Sequence, residues 1–172
     1  MTIHTDHPFA EPEERRDPAR RLRGRLGGAV TLWTAGDGPD RAGLTVSSVM
    51  VAHGPTHLVL ALIDPDSDLL TVLRESGRAV VQLLSWPDRQ LAEAFAGTAP
   101  APGGPFRQAP FEPTPYGPRL STATTWADVS LAGEREVGWS VEVSASIDAA
   151  TVGNDQQPLL HRRGRFLALP DH

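Results

Sequence analysis

A run of small polar residues in the first third of the chain has the composition of a ligand-contacting strand. Residues 43–48 read Gly-Leu-Thr-Val-Ser-Ser, and residues 44–51 have the β-branched and apolar pattern of a strand. Short hydroxyls and backbone amides beside an apolar sheet can satisfy the N–H and C=O groups of a flat ligand with polar edges. The residue types alone favour an ordinary strand whose Thr and Ser side chains face solvent.

The turn before the next predicted helix is a second candidate site. Ser67 precedes apolar residues spaced i, i+3 and i+4, which is typical of a helix with one buried face. A hydroxyl at the start of a helix caps it and can also contact an anion there. Asp64, Asp66 and Asp68 crowd the same turn. Their charges oppose a phosphate unless an arginine intervenes.

Arginines near both ends of the chain could bind phosphate groups. All 16 basic residues are arginines. Four of them fall in a predicted helix over residues 17–26, where the net charge of -5 favours a solvated face over a phosphate or nucleic-acid site. A second group near the C-terminus could hold a pyrophosphate, or could be solubilising charges on an edge strand. This second group is Arg162, Arg163 and Arg165.

Composition excludes several kinds of chemistry. The chain of 172 residues has no Cys and no Lys, so thiol catalysis, thiolate metal sites, disulfides and Schiff bases are excluded. Its 6 histidines lack a metal-ligand spacing, and there is no GxGxxG or Walker motif. The acidic balance argues against nucleic-acid binding. No apolar run approaches the ~20 residues of a membrane helix, and the polar start lacks a signal core, so we expect a cytoplasmic protein.

Strand patterns outnumber helix patterns, which favours a barrel or sandwich over a doubly wound sheet. We predict a mobile leader over residues 1–16 and a single domain over residues 17–172. A nearly continuous apolar run at residues 58–63 predicts a central strand buried on both faces. Residues 98–118 hold seven prolines and three glycines, which predicts a long loop, either a lid beside a ligand or a plain surface excursion. Further strands are predicted at residues 29–34, 78–84, 124–131, 141–147 and within 158–169, and further helices after Ser67 and over 85–96.

Two segments resemble the flavin reductase family. Residues 43–48 match its Gly-Leu-Thr-(Ala/Val)-Ser-Ser segment at every position, and residues 158–166 are similar to its closing segment. The resemblance implies a six-stranded antiparallel Greek-key split β-barrel and a homodimer with flavin at the subunit interface. It also implies FMN, or alternatively FAD, as cofactor, NADH or NADPH as reductant, and a monooxygenase as partner. The cofactor-binding residues we predict are Thr45, Val46, Ser47, Ser48, Asp64, Ser67 and Arg165.

The chain departs from the family pattern at several positions that the family uses to bind phosphate and to position the reacting rings. Leu69 stands where the family has a phosphate-contacting Thr, and Gly138-Trp139-Ser140 stands where it has Gly-Asp-His. In the closing segment, His161 and Arg162 fall on the Tyr and His positions. The main hypothesis is an FMN-binding, NAD(P)H-dependent flavin reductase. The alternative is a catalytically degenerate split-barrel dimer that binds flavin or another ligand, and a third hypothesis is a barrel of the neighbouring pyridoxamine-phosphate-oxidase type.

Overall fold

The computed structural model describes residues 17–154 and 157–169, so the predicted leader over residues 1–16 lies outside the described residues. Three α-helices occur in this part of the chain: α1 (Pro18–Arg25), α2 (Asp68–Ser76) and α3 (Arg89–Phe95). The strands are β1 (Gly28–Ala29), β2 (Thr31–Ala35), β3 (Ala42–Val46), β4 (Val49–Ala52), β5 (Leu58–Ile63), β6 (Arg78–Leu83), β7 (Phe111–Glu112), β8 (Arg119–Leu120), β9 (Trp126–Val137), β10 (Ser140–Thr151), β11 (Leu159–Arg162) and β12 (Arg165–Ala168).

The main sheet is antiparallel and has the order β3-β2-β6-β9-β10-β5-β4. Its two edge strands are consecutive in the chain and are separated only by Ser47 and Ser48. Because only two residues join them, the two edges of the sheet lie close together at this point, and the N–H of Leu62 on β5 donates to the carbonyl of Ser48 at 3.2 Å. The prediction of a mainly β fold with few helices is confirmed, and the sheet curls into a half-barrel.

The strand count differs from the predicted six, since the main sheet has seven strands. The difference arises at residues 44–51, predicted as one strand. There the chain pairs with β2 up to Val46 and with β5 from Val49, and Ser47 and Ser48 form the bend between the two pairings. Smaller sheets add β1-β11-β12 and β7-β8. The Greek-key path stays a prediction.

The interior of the half-barrel is filled by apolar side chains from α2 and the main sheet, among them Trp33, Ile63, Leu69, Leu73 and Val143. The prediction that β5 is buried on both faces is wrong. Its residues alternate, and Leu62 on the outer face is 41% exposed. The physical reason is position, because β5 lies between β10 and the edge strand β4 rather than at the centre of the sheet.

A second apolar core lies around α3 and includes part of the Pro-rich loop. Phe106 and Phe111 from the loop pack edge-to-face on Phe95, with ring centroids 4.9 and 5.9 Å away. The loop contains a short 3₁₀ turn, Pro105–Arg107, and its strand β7 pairs with β8. This segment is therefore packed into the fold as well as running along its surface.

Local sequence signals set the helix boundaries. The Ser67 hydroxyl accepts a hydrogen bond from the N–H of Leu70 at 3.3 Å, and α2 ends at Gly77, which has a φ of +68°. The predicted cap at Ser67 is confirmed, and a glycine is typical at such a helix end. Before α3, the backbone N–H and hydroxyl of Ser85 both donate to the carboxylate of Asp88, at 2.9 and 2.6 Å. These bonds form a capping box at the start of the helix predicted over 85–96, whose first turn is a 3₁₀ turn.

Candidate functional site

The bend between β3 and β4 places Ser47 and Ser48 at the surface. The Ser48 hydroxyl donates to the carbonyl of Leu62 at 2.8 Å, which ties the bend to β5. Within the described residues, the Ser47 hydroxyl has no hydrogen-bond partner. Gly28 lies directly beside the bend, because a Cβ on this glycine would stand 3.1 Å from the carbonyl oxygen of Ser47. The absence of a side chain there lets the backbone of β1 approach the bend this closely.

Thr45 and Val46, the other two residues predicted on this strand, have side chains that the fold already uses. The Thr45 hydroxyl donates to the carbonyl of Ala92 on α3 at 2.7 Å. Val46 is 4% exposed and belongs to the interior of the half-barrel. Its carbonyl accepts from the hydroxyl of Thr31 at 2.6 Å. Of the four predicted residues, only Ser47 therefore has a hydroxyl directed to no partner in the described chain.

The turn between β5 and α2 is shaped by Asp64. Its carbonyl accepts from the N–H and the hydroxyl of Ser67, at 3.1 and 2.8 Å, and its carboxylate accepts from the N–H of Asp66 at 2.9 Å. The turn begins two residues after Leu62, so it adjoins the Ser47–Ser48 bend. The Asp64–Ser67 turn thus follows directly after the strand residues that contact the bend, while the hydrogen bonds of Asp64 are made within its own turn.

Burial in the core accounts for Leu69, one of the residues that depart from the family pattern. Its side chain is 0% exposed and packs in the interior of the half-barrel. The residue at this position therefore faces inward, and it contributes to the core rather than to an anion site.

Two arginines near the turn have different surroundings: Arg74 forms an ion pair with Glu134, and Arg41 lines a groove. Arg74 donates to both carboxylate oxygens of Glu134 at 2.8–3.1 Å, and this contact holds the pKa of Glu134 below its ordinary value. Arg74 is therefore engaged away from the turn. Arg41 and Asp68 both line a surface groove of about 230 Å³, together with Asp40, Thr71 and neighbouring residues. The guanidinium of Arg41 lies over the ring of Phe106, 4.5 Å from its centroid.

Arg165, the remaining predicted site residue, lies farther from the bend. It is exposed on β12, opposite Arg162 of β11. The small sheet pairs Gly28 with His161 and His161 with Phe166, so β12 is two strands away from β1. Because neighbouring strands are about 4.8 Å apart, Arg165 is about 10 Å from the Gly28 strand. The structure does not bring it into the cluster of Ser47, Asp64 and Ser67.

His161, which our sequence-based list of site residues omitted, lies one strand away from the bend. It pairs with Gly28, whose neighbour is the Ser47 carbonyl, and its ring lies 5.7 Å from that of Phe166. Burial first and the nearby charge of Arg23 second lower the pKa of His161. The only sequence signal was its position in the closing segment, where the family resemblance places a Tyr.

The lowered pKa of His161 predicts an acid-dependent loss of stability. The folded state favours the neutral ring, so this stabilisation is present above the unfolded pKa of about 6.5 and is lost as the pH falls through the lower folded pKa. We expect His161→Tyr, which keeps an aromatic ring beside Phe166, to make the melting temperature less sensitive to pH between 7 and 5. Thermal unfolding at several pH values measures it, and equal slopes for both proteins would contradict it.

The tip of the β9–β10 hairpin carries the Gly138-Trp139-Ser140 segment. Val141 pairs with Ile63, so the tip lies beside the end of β5, where the Asp64 turn begins. Trp139 is 99% exposed. Its exposed indole thus stands on the side of the fold that holds the acidic turn.

We searched residues 17–154 and 157–169 for a metal-binding group and for a membrane-spanning helix. In this part of the chain, no group of three or more His, Asp or Glu residues could hold a metal ion. His53 and His57 are in edge-to-face contact with centroids 5.4 Å apart, and the N–H of Gly54 donates to Nδ1 of His57 at 3.4 Å. No helix there has both the length and the apolar character needed to cross a bilayer.

Comparison with protein families supplies the identity that geometry alone leaves open. A family model described as a flavin reductase like domain matches residues 23–170. The chain belongs to the flavin reductase-like family. The match includes the Ser47–Ser48 bend, the acidic turn and the closing hairpin, so the resemblance inferred from residues 43–48 and 158–166 is confirmed at the level of the family.

Relatives of this flavin reductase-like chain include a curated protein and solved structures. The reductase component of 4-hydroxyphenylacetate 3-monooxygenase from Pseudomonas aeruginosa is 32% identical over 95 residues, or 55% of each chain. The chain thus spans about half the length of the curated relative it matches. The NADH:FAD oxidoreductase SgcE6 of Streptomyces globisporus has a TM-score of 0.80 at 22% identity, over 95% of this chain and 98% of its own. The styrene monooxygenase flavin reductase of Pseudomonas putida S12 has a TM-score of 0.78 at 20% identity, over 91% and 99%.

Proposed function

We propose that this protein binds a flavin and reduces it with NADH or NADPH. The observation that carries the proposal is the Ser47–Ser48 bend, an exposed polar edge with an unpaired Ser47 hydroxyl in a flavin reductase-like chain. The flavin supplies the hydride-accepting ring, and the protein supplies binding and orientation. In this proposal the flavin ring lies at the bend, because both serines there are exposed and the Ser47 hydroxyl, which has no partner in the described chain, is available for the polar edge of the ring.

FMN is the flavin that the resemblance implies, with FAD as the alternative. In the FMN proposal, Ser67 and the first turn of α2 receive the phosphate, and Arg41 across the groove offsets Asp68. Thr45 and Val46 act through their backbone and packing, since the Thr45 hydroxyl and the Val46 carbonyl have partners within the fold. Asp64 acts by holding Ser67 in place.

The physiological acceptor in this proposal is a monooxygenase that consumes reduced flavin. Support comes from the relatives, one a reductase component of a monooxygenase and another a styrene monooxygenase flavin reductase. The catalytic residues remain unassigned, because a flavin-mediated hydride transfer needs no strong acid or base from the protein.

A test of the proposed activity is oxidation of NADH and NADPH with FMN, with FAD and without added flavin. We expect nucleotide oxidation that depends on flavin and saturates with it. Flavin binding measured in parallel separates two failures, because a protein that binds flavin and oxidises neither nucleotide is not a reductase. A protein that does neither is not a flavin protein.

The second candidate function is a split-barrel dimer that binds flavin or another ligand without reducing it. Specific observations favour it: Trp139-Ser140 replaces the Asp-His of the family pattern, and Leu69 is buried where a phosphate-contacting Thr is expected. Flavin titration with no NAD(P)H oxidation is the result that selects this candidate.

A homodimer is the assembly that we predict. The outer face of β4 and β5 leaves Met50 70% exposed and Leu62 41% exposed, which is apolar area that a twofold partner can cover. Light scattering at micromolar concentration should give twice the chain mass of 18.5 kDa. A mass of one chain contradicts the prediction, and Met50→Lys should weaken the dimer if this face is the interface.

Reversal of one charge in the acidic turn tests the phosphate position. Asp68→Arg removes an opposing charge and adds an attractive one, so FMN should bind tighter by roughly 1–2 kcal/mol if the new side chain reaches the phosphate. The gain should shrink in high salt because Asp68 is exposed. Ser67→Ala is the paired variant and should weaken binding. If FMN titration shows no change in either variant, the phosphate lies elsewhere.

A further inference from the structure

Arginines from both ends of the described chain meet on one surface. The backbone N–H of Arg163 in the β11–β12 hairpin donates to the carbonyl of Gly24 in α1 at 2.7 Å. This contact brings the helix and the hairpin together. We call the result the arginine patch, formed by the exposed residues Arg23, Arg25, Arg162 and Arg165.

The arginine patch lacks the neutralising partners that arginines have elsewhere. Ion pairs among the described residues join Arg74 to Glu134, Arg119 to Glu112 and Arg135 to Glu142, all outside the patch. Other arginines stack on aromatic rings, as Arg41 does on Phe106 and Arg89 on Trp86. No member of the patch pairs with a carboxylate within residues 17–154 and 157–169. Counting only the described residues, this surface is therefore positive in a chain whose net charge is -5.

One guanidinium of the patch is held in position by the fold. The Nε of Arg162 donates to the carbonyl of Arg25 at 3.2 Å, and its side-chain carbons lie 3.5–3.7 Å from the Cβ position of Gly27. The contact uses one of the N–H donors of this side chain and leaves its terminal nitrogens without a partner in the described chain. Preorganisation lowers the entropy lost when an arginine binds an anion.

The patch is continuous with the surface beside Ser47. His161 pairs with Gly28, which abuts the Ser47 carbonyl, and Arg162 follows His161 on the same strand. Arg165 lies one strand further out. The other side of the bend leads to Asp64, Asp66 and Asp68 instead. A ligand whose ring lies at Ser47 thus has positive charge on one side and negative charge on the other.

We propose that the arginine patch binds the diphosphate group of a dinucleotide whose ring lies at the Ser47–Ser48 bend. This inference rests on the proposed function and deepens it. FAD, NADH and NADPH all carry this diphosphate group, because each joins its reactive ring to an adenosine through two phosphates. Arginine suits that group, since its planar donors match phosphate oxygens. If the dinucleotide is FAD, the Ser67 turn holds no phosphate.

The test compares ligands with and without the diphosphate in two variants. We expect Arg162→Gln/Arg165→Gln to weaken dinucleotide binding about tenfold and Arg165→Gln about threefold, modest losses because the side chains are exposed. Titration of FAD and FMN and the KM for NADH are the readouts. A loss for FAD with FMN unchanged assigns the patch to FAD. A rise in the KM for NADH with both flavins unchanged assigns it to the pyridine nucleotide.

The matched control is Arg135→Gln, which removes one exposed arginine from an ion pair outside the patch and should change neither readout. Unchanged binding of every dinucleotide in both variants overturns the proposal. An equal loss for FMN and FAD also overturns it, because the arginines then act on a single phosphate or on the fold. Arg165→Gln remains decisive if the double variant unfolds, since Arg165 makes no side-chain contact in the described residues.

A separate ligand distinguishes failure of this inference from failure of the proposed function. ADP-ribose carries the diphosphate without a flavin or nicotinamide ring. If the wild-type protein binds no flavin and oxidises no nucleotide, the proposed function fails. ADP-ribose binding that weakens about threefold in Arg165→Gln still supports the patch in that case, and no binding of ADP-ribose to the wild type overturns it.

Discussion

Replacement of Ser47 by Trp should abolish flavin binding while the protein stays folded. Ser47 is exposed, its hydroxyl has no partner in the described chain, and its contact with Gly28 involves the backbone carbonyl rather than the side chain. A large side chain is therefore tolerated by the fold but enters the space that the proposed flavin ring occupies. Titration of FMN and FAD by flavin fluorescence measures the loss, and circular dichroism checks the fold.

The matched control for this result is Ser121→Trp. Ser121 is also exposed, and its hydroxyl also lacks a hydrogen bond to a described residue. Flavin affinity should be unchanged in this variant, which excludes a general effect of an added surface indole. If Ser47→Trp titrates like the wild type, the bend between β3 and β4 is not part of the flavin site.

Replacement of Gln82 by Met should cause a large loss of stability. Gln82 is 0% exposed on β6. Its carbonyl oxygen accepts from the N–H of Leu120 at 2.7 Å, and its amide donates to the hydroxyl of Thr34 at 3.1 Å. That hydroxyl donates in turn to the carbonyl of Pro118. The network attaches the end of the Pro-rich loop to the main sheet.

Met keeps the length of the Gln82 side chain and removes its polar atoms, so the buried N–H of Leu120 loses its acceptor. We expect a loss of about 2–3 kcal/mol in the free energy of unfolding, the cost of leaving buried polar groups unsatisfied. Urea unfolding measures it. Gln108→Met is the control, because Gln108 is exposed in the same loop and bonds to two carbonyls. Its loss should be about 0.5 kcal/mol or less. Equal losses in the two variants would show that the Gln82 network does not hold the loop.

Ser47 and Gln82 differ in how far their roles can be predicted from the sequence. Ser47 lies in a motif whose residues are adjacent in the chain, so the resemblance of residues 43–48 to a family segment predicted its role. Nothing near Gln82 in the sequence marks it as the anchor of a loop, because its partners are 48 and 38 residues away. Its strand was predicted correctly, but the buried network was not.

The amino-acid sequence by itself determined the features that depend on neighbouring residues. A serine before an apolar helical spacing capped α2, Gly77 ended it in the left-handed conformation, and an apolar run set the bounds of β5. These signals are local because capping and turn formation need only a few residues in a row. Family membership was also readable, since it depends on short contiguous motifs.

Only the tertiary structure decided which polar groups are available to a ligand. Thr45 and Ser47 belong to the same motif, yet the hydroxyl of Thr45 donates to Ala92, 47 residues away, while that of Ser47 stays without a partner in the described chain. Packing likewise turned Leu69 inward and brought α1 against the closing hairpin, which created the arginine patch. The physical reason is that hydrogen bonding, burial and charge clustering depend on contacts between distant segments, and residue types along the chain do not specify those contacts.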